Sequence, residues 1–200
     1  MKIAHCIPLM ILLASLIGCD ATTFQKPPLA EAACDPQLVG DWLTVPDPGS
    51  HEAGGEGELQ IDKTCQLIVI DHKQDKTRAE QANASDPTQL HVGHDGTQGY
   101  FWVDSAWAFH FAQSDLQPPA GDVTVLRYGI SGDDLSLSLT DDRAIAHHLI
   151  DGNLQGDVRK IDTTVLNRIT GTLAPGQLRD QIAFSDKPAH FVRNNAESVK

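Results

Sequence analysis

The sequence has little positive charge and no long hydrophobic run. Its 200 residues include 15 Lys and Arg against 27 Asp and Glu, which gives a formal net charge of −12. Proteins that bind nucleic acid or adhere electrostatically to anionic lipid present clustered Lys and Arg, so this balance argues against both classes. The longest apolar stretch runs from about Ile7 to Ile17. It is shorter than the roughly 20 residues that a membrane-spanning helix requires.

The sequence also lacks the short motifs of familiar catalytic sites. It has no Gly-x-Ser-x-Gly nucleophile elbow and no phosphate-binding loop ending in Gly-Lys-Ser or Gly-Lys-Thr. His91 and His94, next to Asp95, have a spacing that metal ligands can show. Side chains three residues apart in a strand point to opposite faces, so we predict no metal site and no cofactor.

The N-terminal leader carries the clearest signal that is present. Lys2 gives a positive start, the apolar stretch follows, and Leu16-Ile17-Gly18-Cys19 closes it. A positive start, a short apolar core and a small-residue cleavage site are typical of a signal peptide. The last four residues resemble the lipobox of bacterial lipoproteins, in which the cysteine receives diacylglycerol and the leader is cut before it.

This resemblance implies a place for the protein. Residues 1–18 would be removed as a signal peptide, and Cys19 would hold the mature chain by lipid at the bacterial cell envelope, facing the periplasm. Asp20 resembles the signal that keeps lipoproteins of enteric bacteria on the inner membrane. Sorting rules differ between bacterial groups, so both membranes stay open. The alternative is an ordinary secretory signal in which Cys19 is incidental.

Composition after the leader divides the chain into a tether and one domain. Residues 19–33 contain Pro27 and Pro28 among polar residues, which is typical of a linker. We therefore expect a lipidated tether over 19–33. Residues 34–200 are long enough for a single globular domain with a sizeable core, and their patterning predicts that it is rich in β-strands.

Only four cysteines are present. Cys6 would leave with the leader and Cys19 would carry the lipid, so Cys34 and Cys65 remain as an even pair in an oxidising compartment. Cys34 precedes the first predicted strand and Cys65 follows the second, so antiparallel pairing of these strands would bring them together. The sequence predicts a Cys34–Cys65 disulfide, with two free thiols as the alternative.

Alternating apolar residues and turn signals predict about eight strands and two short helices. Leu135, Leu137 and Leu139, for example, alternate with serines, as in a strand with one buried face. Helices are predicted over 140–150 and 175–184. Because hairpins dominate, the favoured fold is mainly β, an antiparallel up-and-down sheet closed or nearly closed into a barrel.

One short motif suggests a family for this domain. Gly40-Asp41-Trp42 resembles the Gly-x-Trp of the first strand in lipocalins and lipocalin-like proteins. In that family an Arg near the last strand packs over the Trp, and the resemblance gives this role to Arg193. It also implies a barrel interior that binds a small ligand.

Aromatic residues are few, and six of the eleven lie between residues 100 and 111. Trp107, Phe109 and Phe111 alternate with smaller residues, which predicts a strand with the three rings on one face. With Trp102 they form either a filled core or the lining of a ligand pocket.

Two function classes remain open. The first is a non-enzymatic, membrane-anchored envelope module that binds a small apolar ligand or an envelope protein. The second is a periplasmic hydrolase or modifying enzyme whose catalytic residues no motif reveals. The first predicts an apolar cavity near the aromatic residues, whereas the second predicts titratable side chains that converge in a cleft.

Overall fold

The computed structural model describes residues 20–45, 56–72, 82–112, 114, 116–161, 163–174 and 176–194. The leader and Cys19 lie outside these ranges, so the signal peptide and the lipid site stay predictions. Among the residues that are described, no helix is both long enough and apolar enough to span a membrane.

The described residues contain 13 strands, all within one sheet. In chain order they are β1 (Ala21–Phe24), β2 (Gly40–Val45), β3 (Glu56–Ile61), β4 (Gln66–His72), β5 (Ala82–Ala84), β6 (Thr88–Gln89), β7 (His91–Asp95), β8 (Gln98–Asp104), β9 (Val123–Ser131), β10 (Asp134–Ser138), β11 (Gly156–Ile161), β12 (Thr164–Ile169) and β13 (Ala189–Arg193).

Three short helices accompany these strands in the described ranges: α1 (Ser105–Phe111), α2 (Asp142–Ile150) and α3 (Gln177–Gln181). Helices α2 and α3 correspond to the two predicted helices. The N-cap of α2 is Asp141, whose side chain accepts a hydrogen bond from the Ala144 amide. Two residues past the end of α2, Gly152 has a φ of 75°, the left-handed conformation that commonly terminates helices.

The predicted mainly β, antiparallel fold is confirmed, but the sheet is not closed into a barrel. Its strand order is β11-β12-β1-β9-β10-β13-β2-β3-β4-β5, with β1 and β12 parallel. The segment 88–95 changes partner at Leu90, because β6 pairs with β4 whereas β7 pairs with β8. The numbers of about eight strands and two helices were too low, since β1 and β11, the strands on either side of β12, were not predicted and α1 was expected to be a strand.

One face of the sheet buries the main core, which we define by Trp42, Leu59, Phe101, Leu126 and Phe191 and their buried neighbours. Strand β8 shows why the sheet has two cores. All of its residues from Gly99 to Val103 are buried, and alternate side chains point to opposite faces. Phe101 therefore faces the main core, whereas the residues on either side of it face away.

The second core lies on the other face of β8 and contains Tyr100, Trp102, Phe24, Ile145 and Ile169. It is covered by β1, β11, β12, α2 and α3, which we call the outer layer. Helix α3 is fixed to β7 because the Asp95 carboxylate accepts hydrogen bonds from the amides of residues 176 and 179. The β8–β9 part of the sheet is thus covered on both faces.

The expected tether over 19–33 is wrong for Ala21–Phe24, which form β1. All four residues are buried, and they pair in register with β12, Ala21 opposite Leu166. The polar threonines that suggested a linker are hydrogen-bonded inside the protein: the Thr23 hydroxyl donates to Asp122 at 2.9 Å. The ordered domain therefore starts at least a dozen residues earlier than the composition indicated.

The predicted strand carrying Trp107, Phe109 and Phe111 is also wrong, because these residues form helix α1. The Asp104 carboxylate caps this helix by accepting a hydrogen bond from the Trp107 amide at 3.0 Å. Neighbours on a helix are three or four residues apart. Trp107 accordingly stacks on Phe111, with ring centroids 5.8 Å apart, and Phe109 points elsewhere.

The predicted disulfide is confirmed. Cys34 and Cys65 are bonded, with their α carbons 5.6 Å apart. Cys34 precedes β2, and Cys65 lies in the turn between β3 and β4, so the bridge joins the segment leading into β2 to the far end of its neighbouring hairpin.

Candidate functional site

The main core contains a cavity of about 40 Å³ between the sheet and α1. Strands β3, β4, β8, β9 and β10 supply most of its wall, and α1 supplies Trp107 and Ala108. The complete lining is Leu59, Ile61, Leu67, Val69, Leu90, Phe101, Val103, Trp107, Ala108, Thr124, Leu126, Leu135 and Leu137.

The wall of this cavity offers no hydrogen-bond partner to a ligand. Thr124 is its one polar residue, and the Thr124 hydroxyl lies 2.9 Å from that of Ser105, which is fully buried. A polar molecule would lose its hydrogen bonds to water without replacement, at a cost of roughly 1–3 kcal/mol per group. The cavity therefore favours apolar molecules.

Trp107 is the part of the wall that reaches the surface. Its side chain is partly exposed, and its indole Nε1 donates a hydrogen bond to the carbonyl oxygen of Asp86 at 2.9 Å. The stacking with Phe111 holds the other side of the ring. A rotation of this one side chain would open the cavity, whereas the other lining residues are buried, most of them in strands of the sheet.

The four aromatic residues predicted to form a pocket lie in different places. Trp102 belongs to the second core, where its ring stacks on His91 at 6.0 Å. Phe109 packs with Ala21 and Leu166 in a third small cluster. Phe111 contacts Trp107 but does not line the cavity. Of the predicted pocket residues, Trp107 alone borders the cavity.

The aliphatic wall was the signal that sequence reasoning missed. Leu59 and Ile61 alternate in β3, Leu67 and Val69 in β4, and Leu135 and Leu137 in β10, and the members of each pair share a face of their strand. These alternations marked the buried face of a sheet. They could not show that the side chains leave a space.

The motif that suggested lipocalin-like proteins has the expected local geometry. Trp42 is fully buried, and the Arg193 guanidinium lies over its ring, 4.1 Å from the centroid. Arg193 also donates to the carbonyl oxygens of Val39 at 2.7 Å and Gln37 at 2.8 Å. Gly40 makes room for it, because a Cβ at that position would lie 2.4 Å from Arg193 Nη1.

A polar cluster sits in the outer layer, at the start of α2. The Asp142 carboxylate accepts a hydrogen bond from the Thr140 hydroxyl at 2.7 Å, and the Asn167 amide nitrogen donates to the Asp142 carbonyl oxygen at 2.7 Å. Burial raises the pKa of Asp142 to about 7, against the lowering effect of hydrogen bonds from Thr22 and Thr140. Asp142 is thus the titratable group nearest to neutral pH among those with a shifted pKa.

A second polar group joins β1, β9 and β12. The buried Asp122 carboxylate accepts two hydrogen bonds from the Arg168 guanidinium, both 2.8 Å long, and a third from Thr23. The Asp122 carboxylate raises the pKa of Arg168 through the hydrogen bonds it accepts. The pair is satisfied within the protein, which is typical of a structural ion pair.

The histidines that suggested a metal site point away from each other. The His91 ring stacks on Trp102 and its Nδ1 lies 2.8 Å from the Glu31 carboxylate, while His94 packs edge to face with Tyr128 on the other face of β7. In the described ranges, no group of three His, Cys, Asp or Glu side chains is placed to hold a metal ion.

Comparison with protein-family models, with curated proteins and with solved structures finds no match to this chain. The proposed function therefore rests on the geometry of the sites described above.

Proposed function

We propose that the protein is a lipid-anchored lipoprotein of the bacterial envelope whose domain binds a small apolar molecule beside Trp107, without catalysing a reaction. The observation that carries the binding function is the cavity in the main core, whose wall is apolar except for one internally bonded hydroxyl. The lipobox-like Leu16-Ile17-Gly18-Cys19 supports the anchoring.

The contact between Arg193 and Trp42 supports the lipocalin-like resemblance, which implies ligand binding in the interior of the sheet. The cavity lies on the same face of the sheet as Trp42, within the same core. The resemblance is one of site and local motif, since the sheet here is not closed into a barrel.

The size of the cavity constrains the ligand. At about 40 Å³ it is far smaller than the roughly 300–1,000 Å³ of pockets for drug-sized molecules. An apolar cavity of about 150 Å³ stays dry and accepts benzene or xenon, so benzene fits the cavity of this protein only if part of the wall moves. A longer apolar ligand would have to displace the indole of Trp107, since this ring is the exposed part of the wall.

Tryptophan fluorescence tests the binding function. Trp42 and Trp102 are buried and do not line the cavity, so Trp107 is the reporter. We expect a saturable change on titration with benzene and with alkylbenzenes of increasing length. A Trp107→Phe variant should lose this change. The absence of a saturable change with every probe in the parent protein would contradict the proposed ligand.

Two matched substitutions in α1 separate the cavity from the helix. Ala108 lines the cavity and is buried, whereas Ala106 is exposed on the same helix. Ala108→Val should fill the space and weaken binding of the probes. Ala106→Val carries the same cost in helix propensity and should bind as the parent does. Equal affinities in both variants would place the ligand elsewhere.

The anchoring has its own test. Intact mass of protein extracted from membranes should show loss of residues 1–18 and added acyl mass. A Cys19→Ala variant should leave the membrane fraction, and retention of that variant would contradict acylation at Cys19. Turnover of an envelope substrate that is abolished by one polar substitution would overturn the non-enzymatic function.

A further inference from the structure

The described part of the chain begins with Asp20, the residue after Cys19. The Asp20 carboxylate accepts a hydrogen bond from the amide of Val165 at 3.2 Å. From Ala21 onward the chain is a fully buried strand, hydrogen-bonded in parallel to β12. No free segment separates Asp20 from the sheet.

A lipid on Cys19 would therefore be joined to the domain with almost no flexible linker between them. Consecutive α carbons are about 3.8 Å apart, so the α carbon of Cys19 lies about that far from the α carbon of Asp20. Acyl chains on Cys19 would hold that residue at the headgroup level of the bilayer. Asp20 and its neighbours in the sheet would be held against the same surface.

The register of the outer layer identifies these neighbours. Ala21 lies opposite Leu166, so Asp20 lies beside Val165, and Val165 pairs in turn with Lys160 of β11. Neighbouring strands are about 4.8 Å apart, which places the end of β11 about 10 Å from Asp20. We call the surface formed by Asp20, Val165 and residues 159–161 the anchor end.

The side chains at the anchor end suit a membrane surface. Ile161 is 40% exposed, although it is a large apolar residue, and Lys160, which points to the opposite face of β11, is exposed as well. Because both residues lie at the end of the strand, a membrane that meets this end can take up the apolar side chain, while the long lysine side chain reaches round to lipid phosphate. Among the described strands, β11 is also the one at the edge of the sheet, so none of them pairs with its outer side.

We propose that the anchor end is a second membrane contact, in which Ile161 and Lys160 meet the phospholipid headgroups beside the lipid on Cys19. The proposal rests on the proposed acylation of Cys19. It gives the domain a fixed orientation, because two points on one end of the outer layer touch the bilayer. The acyl chains supply the affinity for the membrane, and the contact at β11 sets the orientation of the domain on the bilayer.

The opposite end of the outer layer provides the control position. Ile150, at the end of α2, is 71% exposed. The preceding residue, Leu149, packs close to Gly156, which pairs with Ile169 at the far end of β12. A strand rises about 3.3 Å per residue, so this end lies about 16 Å along β12 from the anchor end. Ile150 should therefore stay in water.

Depth-dependent quenching of a fluorescent label tests the orientation. Full-length Ile161→Cys and Ile150→Cys variants are purified from membranes, labelled, and placed in phospholipid vesicles that carry a nitroxide quencher on the headgroup. We expect loss of fluorescence from the label at position 161 and none from the label at position 150. A third protein, with a flexible Gly-Ser insertion between Cys19 and Asp20, should lose this difference.

The outcomes distinguish this inference from the proposed anchoring. The intact mass of the same samples reports whether Cys19 is acylated. Acylated protein with equal quenching at both positions overturns the fixed orientation and leaves the anchoring in place. Protein that lacks the acyl group overturns both.

Discussion

The two cores of this protein differ in the buried polar residues that accompany them. The main core is almost entirely apolar, lies among antiparallel strands that include three hairpins with short turns, and is closed by the Cys34–Cys65 bridge. The second core is apolar too, but buried polar residues surround the strands that cover it. They include Thr22, Thr23, Asp122 and Asn167.

This difference follows from how the strands find their partners. A hairpin sets its own register through its turn, whereas β1 pairs with a strand that starts more than 140 residues later. Apolar residues alone do not fix such a register, because they pack acceptably in several. The Asp122 carboxylate does fix the register, because it must meet both Arg168 and Thr23. A shifted strand would leave this charge buried and unpaired. Polar groups thus specify the outer layer, whereas turns specify the β3–β4, β7–β8 and β9–β10 hairpins of the main sheet.

The largest effect is expected from Trp42→Ala, which breaks the main core. Trp42 is fully buried, and its indole Nε1 donates to the Leu38 carbonyl oxygen at 2.8 Å. Removing a buried aromatic side chain should lower the free energy of unfolding by about 3–5 kcal/mol, measured by urea denaturation. A loss below about 1 kcal/mol would mean that Trp42 is peripheral to the fold.

Asp122→Asn should cost about 3 kcal/mol, because it leaves the Arg168 guanidinium without its buried counter-charge. The loss of local stability should be confined to the outer layer. Hydrogen exchange should accelerate at amides of β1 and β12 before those of β3 and β4. Uniform acceleration across the sheet would contradict the division into separately specified regions. Thr23→Val removes one neutral donor to the same carboxylate and serves as the milder comparison.

Arg193→Met tests how the end of the main core is closed. The change removes the cation over the Trp42 ring and two hydrogen bonds to carbonyl oxygens. We expect a loss of about 1–2 kcal/mol in the free energy of unfolding. Arg193→Lys keeps the cation but loses the two guanidinium donors. The stability of this variant should therefore lie between those of the parent and the Met variant. Equal stability of all three proteins would contradict a role for the contact.

The effect expected at Asp142 is a dependence of stability on pH. Its pKa of about 7 in the folded protein lies above the usual 3.8, so the folded state keeps the proton where the unfolded chain has lost it. Its contribution to stability is therefore complete below about pH 4 and is lost as pH rises towards about 7. Asp142→Asn has no such loss. The stability of the variant relative to the parent should increase between about pH 4.5 and about pH 7.5. A constant difference would contradict the raised pKa.

The sequence predicted those parts of the fold that are encoded locally. The β9–β10 hairpin turns at Gly132, whose φ is 63°, and alternating leucines marked the buried face of β10. The disulfide followed from counting cysteines and from the positions of two strands. Arg193 came from the lipocalin-like resemblance, because no local pattern relates it to a tryptophan 151 residues earlier.

The predictions that were wrong concern features that depend on distant parts of the chain or on details of packing. Thr22 and Thr23 look like solvent-exposed linker residues until their partners on distant strands are known. In α1, the alternation of Trp107, Phe109 and Phe111 indicated a strand, but the Asp104 cap and the two alanines at positions 106 and 108 favour a helix. The cavity depends on small mismatches among packed side chains, which no periodicity encodes.

The position of β13 in the sheet decides when the chain can complete its fold. β13 is the last strand described, and it pairs with both β10 and β2. Until Phe191 has been synthesised, each of those two strands keeps an unpaired edge. β1 must likewise wait for β12. Contacts between such distant segments form late and slowly. The pairings on both sides of β13 can therefore be completed only when residues 189–193 are available, so removal of these residues would leave β2 and β10 each without one neighbour.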